Sequence, residues 1–311
     1  MTTLPSWLAF DPRGPLRLGP RVFPGRIWTA SGCFGYGLDG ADLGAPGCGS
    51  PFDGLGAVVT KTVTPEARCG NPPPRLWETA HGALNSIGLE NVGLSRFADE
   101  VVPALEARGV PFVISLAATR PEEFGNLARR LAAAADGAVH WHGVELNLSC
   151  PNVAEGGVDF GRDPATVERC VAAAREHLPA RALLAKLTPN VGSIARLATA
   201  AARGGADGVT AINTLIGMDV DLSTGAPVLP RRRGGYSGPA LLPVALARVD
   251  EIVQETGLPV VGVGGIATLE DVLKFFAVGA VAVQIGTAQM SDPFAAAAVA
   301  AALAAAERQA R

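Results

Sequence analysis

A chain of 311 residues, of which 48% are hydrophobic, is long enough to bury a large core, either in two ordinary domains or in one α/β barrel. Its formal net charge of −3 gives no indication of a basic surface for nucleic acid or anionic lipid. We therefore expect small molecules as its partners. Residues 1–15 do not have the pattern of a signal peptide, and the apolar stretch 294–306 is too short to span a bilayer, so we expect a cytoplasmic protein.

Strands and helices alternate along most of the chain. Runs rich in aliphatic and β-branched residues predict eight strands, at residues 26–29, 57–61, 111–116, 143–149, 182–188, 208–214, 259–264 and 280–286. Helical spacing of apolar residues predicts helices at 94–107, 121–135, 164–177, 193–203, 241–256 and 269–278. This pattern favours an α/β fold of the (β/α)8 TIM barrel type, with residues 1–311 in a single domain. A doubly wound open sheet would need fewer strands or a second domain, and no linker marks one.

Polar residues and glycines that could bind or react with a ligand follow the predicted strands, at the end of the barrel where such enzymes place their chemistry. In chain order they are Ser31 and Cys33, Lys61 and Thr62, Ser115, Asn147 with Cys150 and Asn152, Lys186, Asn213 and Thr214, Gly264 and Gly265, and Gly286 and Thr287. We therefore expect one site that draws on most of the strands.

The segment Asn147-Leu148-Ser149-Cys150-Pro151-Asn152 is the strongest candidate for a reaction site. Pro151 cannot continue a central strand, so Cys150 should lie on the outgoing loop. A thiol can act as a nucleophile or, when its environment adjusts its pKa, as a general base. An isolated cysteine is more often a buried structural residue, but amides flank this one. The five cysteines of the chain are scattered, which predicts neither a metal site nor an iron–sulfur cluster and favours a reducing compartment.

Two of the three lysines, Lys61 and Lys186, lie at strand ends in a chain that otherwise uses arginine. A compact ammonium at such a position indicates a need for a point charge, although a lysine that merely snorkels to solvent is the alternative. Glycines at the ends of the last two strands predict a backbone cradle for a mononucleotide phosphate. Tight turns would explain isolated glycines equally well, and the spacing of Gly262 and Gly264 is a weak dinucleotide signal.

Further motifs are Ala30-Ser31-Gly32-Cys33-Phe34-Gly35-Tyr36-Gly37, Asn71-Pro72-Pro73-Pro74-Arg75, Asn85-Ser86-Ile87-Gly88-Leu89-Glu90-Asn91, Ile212-Asn213-Thr214-Leu215-Ile216-Gly217-Met218 and Gly234-Gly235-Tyr236-Ser237-Gly238-Pro239. With residues 145–153 they resemble the dihydroorotate dehydrogenase family. Ser237-Gly238-Pro239-Ala240, Pro243-Val244-Ala245, Glu155-Gly156-Gly157 and Phe160-Gly161 are similar to the NAD-linked class 1B catalytic subunit, whereas class 2 enzymes have Ser where Cys150 stands.

The resemblance implies FMN-dependent oxidation of (S)-dihydroorotate to orotate in de novo pyrimidine (UMP) biosynthesis. Cys150 would take the C5 proton as general base while the C6 hydrogen passes as hydride to FMN. The implied substrate contacts are Lys61, Asn85, Ser86, Ile87, Gly88, Leu89, Asn147, Asn152, Asn213 and Thr214. The implied FMN contacts are Ser31, Cys33, Lys61, Thr62, Ser115, Asn147, Lys186, Ile212, Gly238, Gly264, Gly265, Gly286 and Thr287. No metal is implied.

Two features depart from the family pattern. Ser115 stands where class 1B relatives usually have Asn near the flavin, so this contact is expected to be weaker or mediated by water. Residues 39–54, rich in Gly and Pro, form a longer segment than usual and are expected to be a surface loop, most simply a tolerated insertion.

The chain has neither a dinucleotide fingerprint nor a cysteine cluster to pass electrons onward. The resemblance implies a homodimer of this chain within a heterotetramer that includes a subunit with FAD and a [2Fe-2S] cluster. A fumarate-using homodimer of the class 1A type, or a related FMN-dependent dihydropyrimidine dehydrogenase, is the alternative within the same chemistry. Two rivals from other classes are an FMN-free barrel lyase that forms a Schiff base on Lys186 and a non-catalytic binding scaffold.

Overall fold

Eight parallel strands form the central sheet of the computed structural model, which describes residues 3–5, 7–38, 49–148 and 160–308. They are β1 (Ile27–Thr29), β2 (Val58–Val59), β3 (Phe112–Leu116), β4 (Trp141–Asn147), β5 (Ala182–Lys186), β6 (Gly208–Ala211), β7 (Val260–Val263) and β8 (Ala282–Ile285). β8 pairs with β1 in parallel, and a parallel bridge between Trp28 and Ala57 joins β1 to β2. The sheet therefore closes, and the predicted TIM barrel is confirmed.

Helices surround the barrel, and five of them lie where the apolar spacing predicts them. These five span Pro121–Ala134, Pro164–Arg175, Ala195–Arg203, Leu242–Thr256 and Leu269–Ala277. A further helix, Ala295–Ala305, was not among the predicted ones. The helical segments Leu94–Arg96 and Val102–Arg108 flank a π-helical turn at Phe97–Val101. The turn ends two residues before Pro103, whose nitrogen cannot donate a hydrogen bond. Shorter pieces are the 3₁₀ turns Phe160–Arg162 and Pro239–Leu241 and the helix Ala288–Ser291.

Several strands are shorter than predicted, because the chain leaves the ladder before the polar residues at the carboxyl end. Strand β2 ends at Val59, and the N–H of Lys61 donates to the carbonyl of Gly35 at 2.7 Å. Strand β6 ends at Ala211, and the N–H of Asn213 donates to the carbonyl of Leu187 at 2.9 Å. The predicted ends at residues 61 and 214 were therefore wrong. The polar residues lie on the loops that leave the barrel.

Side chains alternate between the helices and the barrel interior. In β4, Val144 and Leu146 pack into the strand–helix core, so Glu145 and Asn147 point inward. A separate apolar cluster fills the amino-terminal part of the barrel: Leu16, Leu18, Phe23, Trp28, Ala57, Val59, Val113, Ala182, Leu184, Val261 and Ala282. The hairpin Leu16–Leu18 and Arg21–Phe23 supplies its plug. The barrel thus has an apolar floor below a polar layer.

A four-stranded antiparallel sheet that the sequence reasoning missed is built from two distant parts of the chain. Its strands are Leu76–Thr79, Gly82–Asn85, Leu215–Gly217 and Gly234–Ser237. Gly235 pairs with Asn85, and Leu215 pairs with Tyr236. This sheet brings Asn85 and Thr214 to one place. Short pairs also join Thr3–Leu4 to Glu307–Arg308 and Val220–Asp221 to Ala226–Pro227.

The predicted surface loop at residues 39–54 is described only from residue 49 onward, and Cys48 lies outside the described residues. Its described end is not merely a surface turn. The Phe52 side chain is buried, and its ring meets that of Phe34 edge-on with 5.4 Å between centroids. Part of the segment therefore belongs to the core.

The described helices are too short or too polar to cross a membrane. None of them combines the length and the apolarity that a bilayer span requires. The Ala-rich stretch near the carboxyl terminus forms the helix Ala295–Ala305, which has 11 residues.

Gly262 lies on the outer face of β7 and packs against a helix, so it does not face the cavity as its place in a glycine-rich run had indicated. A Cβ at this position would lie 2.3 Å from Cδ1 of Phe275. We expect Gly262→Ala to lower the free energy of unfolding by about 1–3 kcal/mol, measured by urea denaturation, because the core cannot take the added carbon. The control is Gly192→Ala, where a Cβ would meet nothing within 4 Å. Equal stability of the two variants would contradict this packing.

Candidate active site

A cavity of about 490 Å³ opens at the carboxyl ends of the barrel strands. This volume lies within the range of small-molecule sites. The predicted site residues that line it are Ser31, Cys33, Lys61, Thr62, Asn85, Ile87, Gly88, Leu89, Asn147, Lys186, Ile212, Asn213, Thr214, Gly238, Gly264, Gly265, Gly286 and Thr287. The fold thus gathers residues that are as much as 256 positions apart, from Ser31 to Thr287, around one space.

Four predicted residues are not among the lining residues. Cys150 and Asn152 lie outside the described residues. Ser86 is buried, and its Oγ accepts a hydrogen bond from Nδ2 of Asn71 at 2.9 Å. Ser115 is also fully buried, behind Thr62. Neither Ser86 nor Ser115 lines the cavity, and the hydroxyl of each is hydrogen-bonded to a neighbouring side chain.

Hydroxyl groups on the first three strand ends form a hydrogen-bonded row. The Oγ1 of Thr62 is 3.3 Å from Oγ of Ser31 and 2.9 Å from Oγ of Ser115. Ser31 in turn donates to the carbonyl of Thr60 at 2.8 Å. Ser115 therefore acts on the cavity wall by orienting the hydroxyl of Thr62.

Two amides continue this row across the barrel. Nδ2 of Asn147 donates to Oγ1 of Thr62, and Nδ2 of Asn213 donates to Oδ1 of Asn147, both at 3.3 Å. The N–H of Thr214 donates to Oδ1 of Asn213 at 2.8 Å. The two hydrogen bonds of 3.3 Å are long and partly exposed. The two amides therefore remain able to bond a ligand that has alternating donors and acceptors.

The antiparallel sheet supplies the opposite wall. Nδ2 of Asn85 donates to the carbonyl of Gly235 at 3.0 Å, which fixes the amide against the neighbouring strand. The chain then turns through Gly88, with φ of +76°, where a Cβ would lie 2.6 Å from the backbone nitrogen of Asn71. Only glycine suits such a turn without strain. This turn carries the backbone of Ile87 and Leu89 along the cavity.

Lys61 is held at the cavity mouth by a carboxylate that sequence reasoning did not single out. Its Nζ is 3.7 Å from Oε2 of Glu90, and the same oxygen accepts a hydrogen bond from Arg75 at 2.8 Å. All three side chains are partly exposed, so the arrangement orients the ammonium more than it contributes to stability.

Lys186 is 6% exposed and faces a second carboxylate that the sequence reasoning missed, Glu145. Its Nζ lies 3.6 Å from Oε1 of Glu145. The signal was present in the sequence, because Glu145 is two residues before Asn147 in a strand and so shares its inward face. Gln284, also inward, lines the cavity beside them.

Cys33 is the described cysteine that lines the cavity. Burial raises the pKa of its thiol, and the positive charge of Lys186 opposes that change in part. At neutral pH the thiol therefore stays protonated, which favours a packing role over that of a nucleophile.

Backbone without protruding side chains forms the wall after β7 and β8. Gly265 has φ of +74°, and a Cβ there would lie 2.6 Å from the backbone nitrogen of Leu242. A Cβ on Gly286 would press on Ala30 and Cys33 at 3.2 and 3.3 Å. The chain therefore approaches the cavity with its peptide groups, which is the arrangement that binds phosphate.

Comparison with known proteins assigns this arrangement to a family. The family model described as dihydroorotate dehydrogenase matches residues 19–306. The chain belongs to the dihydroorotate dehydrogenase family. A protein of Geotalea uraniireducens is 43% identical over 270 residues, which are 87% of this chain and 85% of that protein. One of Geobacillus kaustophilus is 43% identical over 271 residues, 86% and 82% of the two chains. Both are named dihydroorotate dehydrogenase B (NAD+), catalytic subunit.

A solved structure confirms the barrel fold of the family. The dihydroorotate dehydrogenase of Eimeria tenella, in complex with ferulenol, matches with a TM-score of 0.73 and 22% identity. The match covers 96% of this chain and 85% of that chain.

Dihydroorotate dehydrogenases are FMN-dependent flavoproteins, and the cavity of this chain fits FMN. The glycine wall suits the phosphate. The buried ammonium of Lys186 suits a ring that gains negative charge. Within the described part of the chain, Oε1 of Gln284 accepts no hydrogen bond, so it is available to a ring N–H.

Proposed function

We propose that this chain oxidises (S)-dihydroorotate to orotate in pyrimidine biosynthesis, with FMN as its cofactor and Cys150 as the general base. The observation that carries the proposal is the convergence of Lys61, Asn147, Asn213 and Lys186 on one cavity in a member of this family. Neutral amides suit the alternating N–H and C=O groups of a dihydropyrimidine ring, and an ammonium suits its carboxylate.

The residues that would hold the cofactor line the cavity at the carboxyl ends of the strands. Gly238, Gly264, Gly265, Gly286 and Thr287 would hold the phosphate. Ser31, Cys33, Thr62, Asn147 and Ile212 would contact the ring system, and Lys186 would favour the negative charge that it gains on reduction. The chemistry that FMN supplies when bound is the acceptance of a hydride from C6 of the substrate.

The substrate is assigned to the space between the amide row and the antiparallel sheet. Asn85, Asn147, Asn213 and Thr214 would donate to and accept from the ring, together with Asn152, which follows β4 in the sequence. Lys61 binds the substrate carboxylate, and the backbone of Ile87, Gly88 and Leu89 closes the pocket. These contacts exclude water and orient the C5–C6 bond.

Cys150 removes the proton from C5. A cysteine has an ordinary pKa of about 8.5, close enough to neutral pH for it to accept a proton when its environment favours the thiolate. The bond that breaks is C5–H, and its electron pair forms the C5=C6 double bond as C6 loses its hydride. The sulfur of Cys150 accepts the C5 proton and the C6 hydrogen leaves as hydride, so the substrate loses two hydrogens in total.

Electrons leave through a second protein. The curated relatives are named as catalytic subunits of an NAD+-linked enzyme, which favours the class 1B arrangement. We propose a homodimer of this chain within a heterotetramer whose other subunit carries FAD and a [2Fe-2S] cluster. A fumarate-using homodimer is the second candidate; it shares the oxidation of dihydroorotate but has another electron acceptor and no electron-transfer subunit.

The test is a comparison of electron acceptors on the purified single chain. We expect a yellow protein whose flavin absorbance bleaches when dihydroorotate is added without oxygen. Turnover should be rapid with an artificial dye and slow with NAD+, because no cysteine cluster or dinucleotide fingerprint is present to carry electrons onward.

Each other outcome has a defined meaning. Rapid turnover with NAD+ by this chain alone would overturn the proposal that a partner subunit carries the electrons to NAD+. Rapid turnover with fumarate would assign the chain to the homodimeric class. A colourless protein that is trapped by borohydride on Lys186 with a carbonyl substrate would replace the dehydrogenase with a Schiff-base lyase.

A further inference from the structure

Glu145 is a fully buried carboxylate on the inner face of β4 that has no part in the proposed chemistry. Its Oε2 accepts hydrogen bonds from Oγ1 of Thr210 and Nε2 of Gln284, both at 2.8 Å. The donors come from β6 and β8, so this one oxygen joins three strands across the barrel. The carboxylate is therefore held in a defined orientation.

The other oxygen of Glu145 is directed to Lys186. Among the described residues, Oε1 accepts no hydrogen bond, and it lies 3.6 Å from Nζ of Lys186. Burying a charge costs free energy unless an opposite charge lies close to it. The ammonium of Lys186 offsets this cost for the carboxylate of Glu145. Lys186 lines the cavity and Glu145 does not. The negative charge thus stands directly behind the positive one.

We infer that Glu145 is a positioning residue that holds the ammonium of Lys186 at the cavity wall and sets the redox potential of the bound flavin. The inference rests on the proposed FMN site. Lys186 alone would favour the negative charge that the flavin gains on reduction. Glu145 reduces that effect, because its charge opposes that of Lys186 at a short distance and both side chains are buried.

The direction of each change follows from the charges. Neutralising Glu145 removes a negative charge from behind the flavin and raises its potential. Neutralising Lys186 removes a positive charge and lowers the potential. Glutamine is the suitable replacement at position 145, because its amide oxygen can still accept the hydrogen bonds from Thr210 and Gln284.

The first experiment measures the flavin potential in the holoenzyme by equilibration with a reference dye. We expect Glu145→Gln to shift the reduction equilibrium about tenfold toward reduced flavin, which is about +30 mV for two electrons. The matched control is Thr210→Val, which removes a hydrogen bond to the same carboxylate but keeps its charge, and it should shift the potential far less. A Glu145→Gln potential equal to that of the wild type, or equal shifts in both variants, would overturn the assignment.

The second experiment does not need the flavin, so it separates this inference from the proposed function. Urea unfolding is compared for Glu145→Gln, Lys186→Met and the double variant, all without FMN. Because each single change leaves one buried charge unpaired, we expect the double variant to lose less stability than the two single losses combined, by at least tenfold in the unfolding equilibrium. Single variants that do not fold beside a double variant that does would show the same coupling. Additive losses would overturn the pairing, even if the wild-type protein binds FMN and oxidises dihydroorotate.

Discussion

Replacing Cys150 with Ala is expected to slow the oxidation of dihydroorotate by about 10²–10⁴-fold while FMN remains bound, because the C5 proton loses its acceptor. The measurement is the rate of flavin bleaching by dihydroorotate in a stopped-flow instrument without oxygen. Cys150→Ser should keep a small rate that rises with pH, because a hydroxyl is a much poorer base than a thiolate near neutrality.

Two other cysteines provide matched controls. Cys170 is fully buried, and burial raises the pKa of its thiol to about 12, so it stays protonated and Cys170→Ala should react at the wild-type rate. Cys33 lines the cavity, so Cys33→Ala separates loss of a base from a change in packing beside the flavin. If Cys33→Ala lost the rate and Cys150→Ala kept it, the general base would have been assigned to the wrong cysteine.

Replacing Lys61 with Ala is expected to lower kcat/KM for dihydroorotate by about 10²-fold or more and to weaken the binding of orotate, with FMN retained. Glu90 orients the ammonium of Lys61, and Arg75 holds Glu90 in place. Loss of the Lys61 ammonium therefore leaves the substrate carboxylate without a cation at that position. Steady-state assays with a dye acceptor and titration of flavin absorbance with orotate measure the two effects separately.

The matched control is the remaining lysine of the chain. Lys274 lies on the helix Leu269–Ala277 and pairs with Glu270 at 2.8 Å on the surface, so Lys274→Ala should change neither quantity. Unchanged orotate affinity in Lys61→Ala would place the substrate carboxylate elsewhere in the cavity.

The barrel was predictable because its evidence is local. Most of the eight strands are short runs rich in aliphatic or β-branched residues, and most helices show apolar spacing within their own residues. The polar residues at the strand ends were predictable for the same reason, since the carboxyl ends of parallel strands meet at one rim. Hence Lys61, Asn147, Lys186 and Asn213 could be assigned to one site without coordinates.

The antiparallel sheet was not predictable, because its pairing is not local. Gly235 pairs with Asn85 across 150 positions, and short polar strands such as Gly234–Ser237 carry no periodic signal of their own. Yet this sheet decides which wall Asn85 occupies. Ser86 shows the same limit, since its hydroxyl turns to Asn71 instead of the cavity.

The amino-acid sequence by itself determined the order of the eight barrel strands, the chemical groups at the rim and the family to which the chain belongs, because these depend on residue type and spacing along the chain. Only the tertiary structure decided which groups meet. Ser115 supports Thr62 behind the cavity wall, and Glu145 lies behind Lys186, because barrel closure sets which inward side chains of different strands share a layer. Contacts of this kind are a property of the closed sheet and not of any one strand.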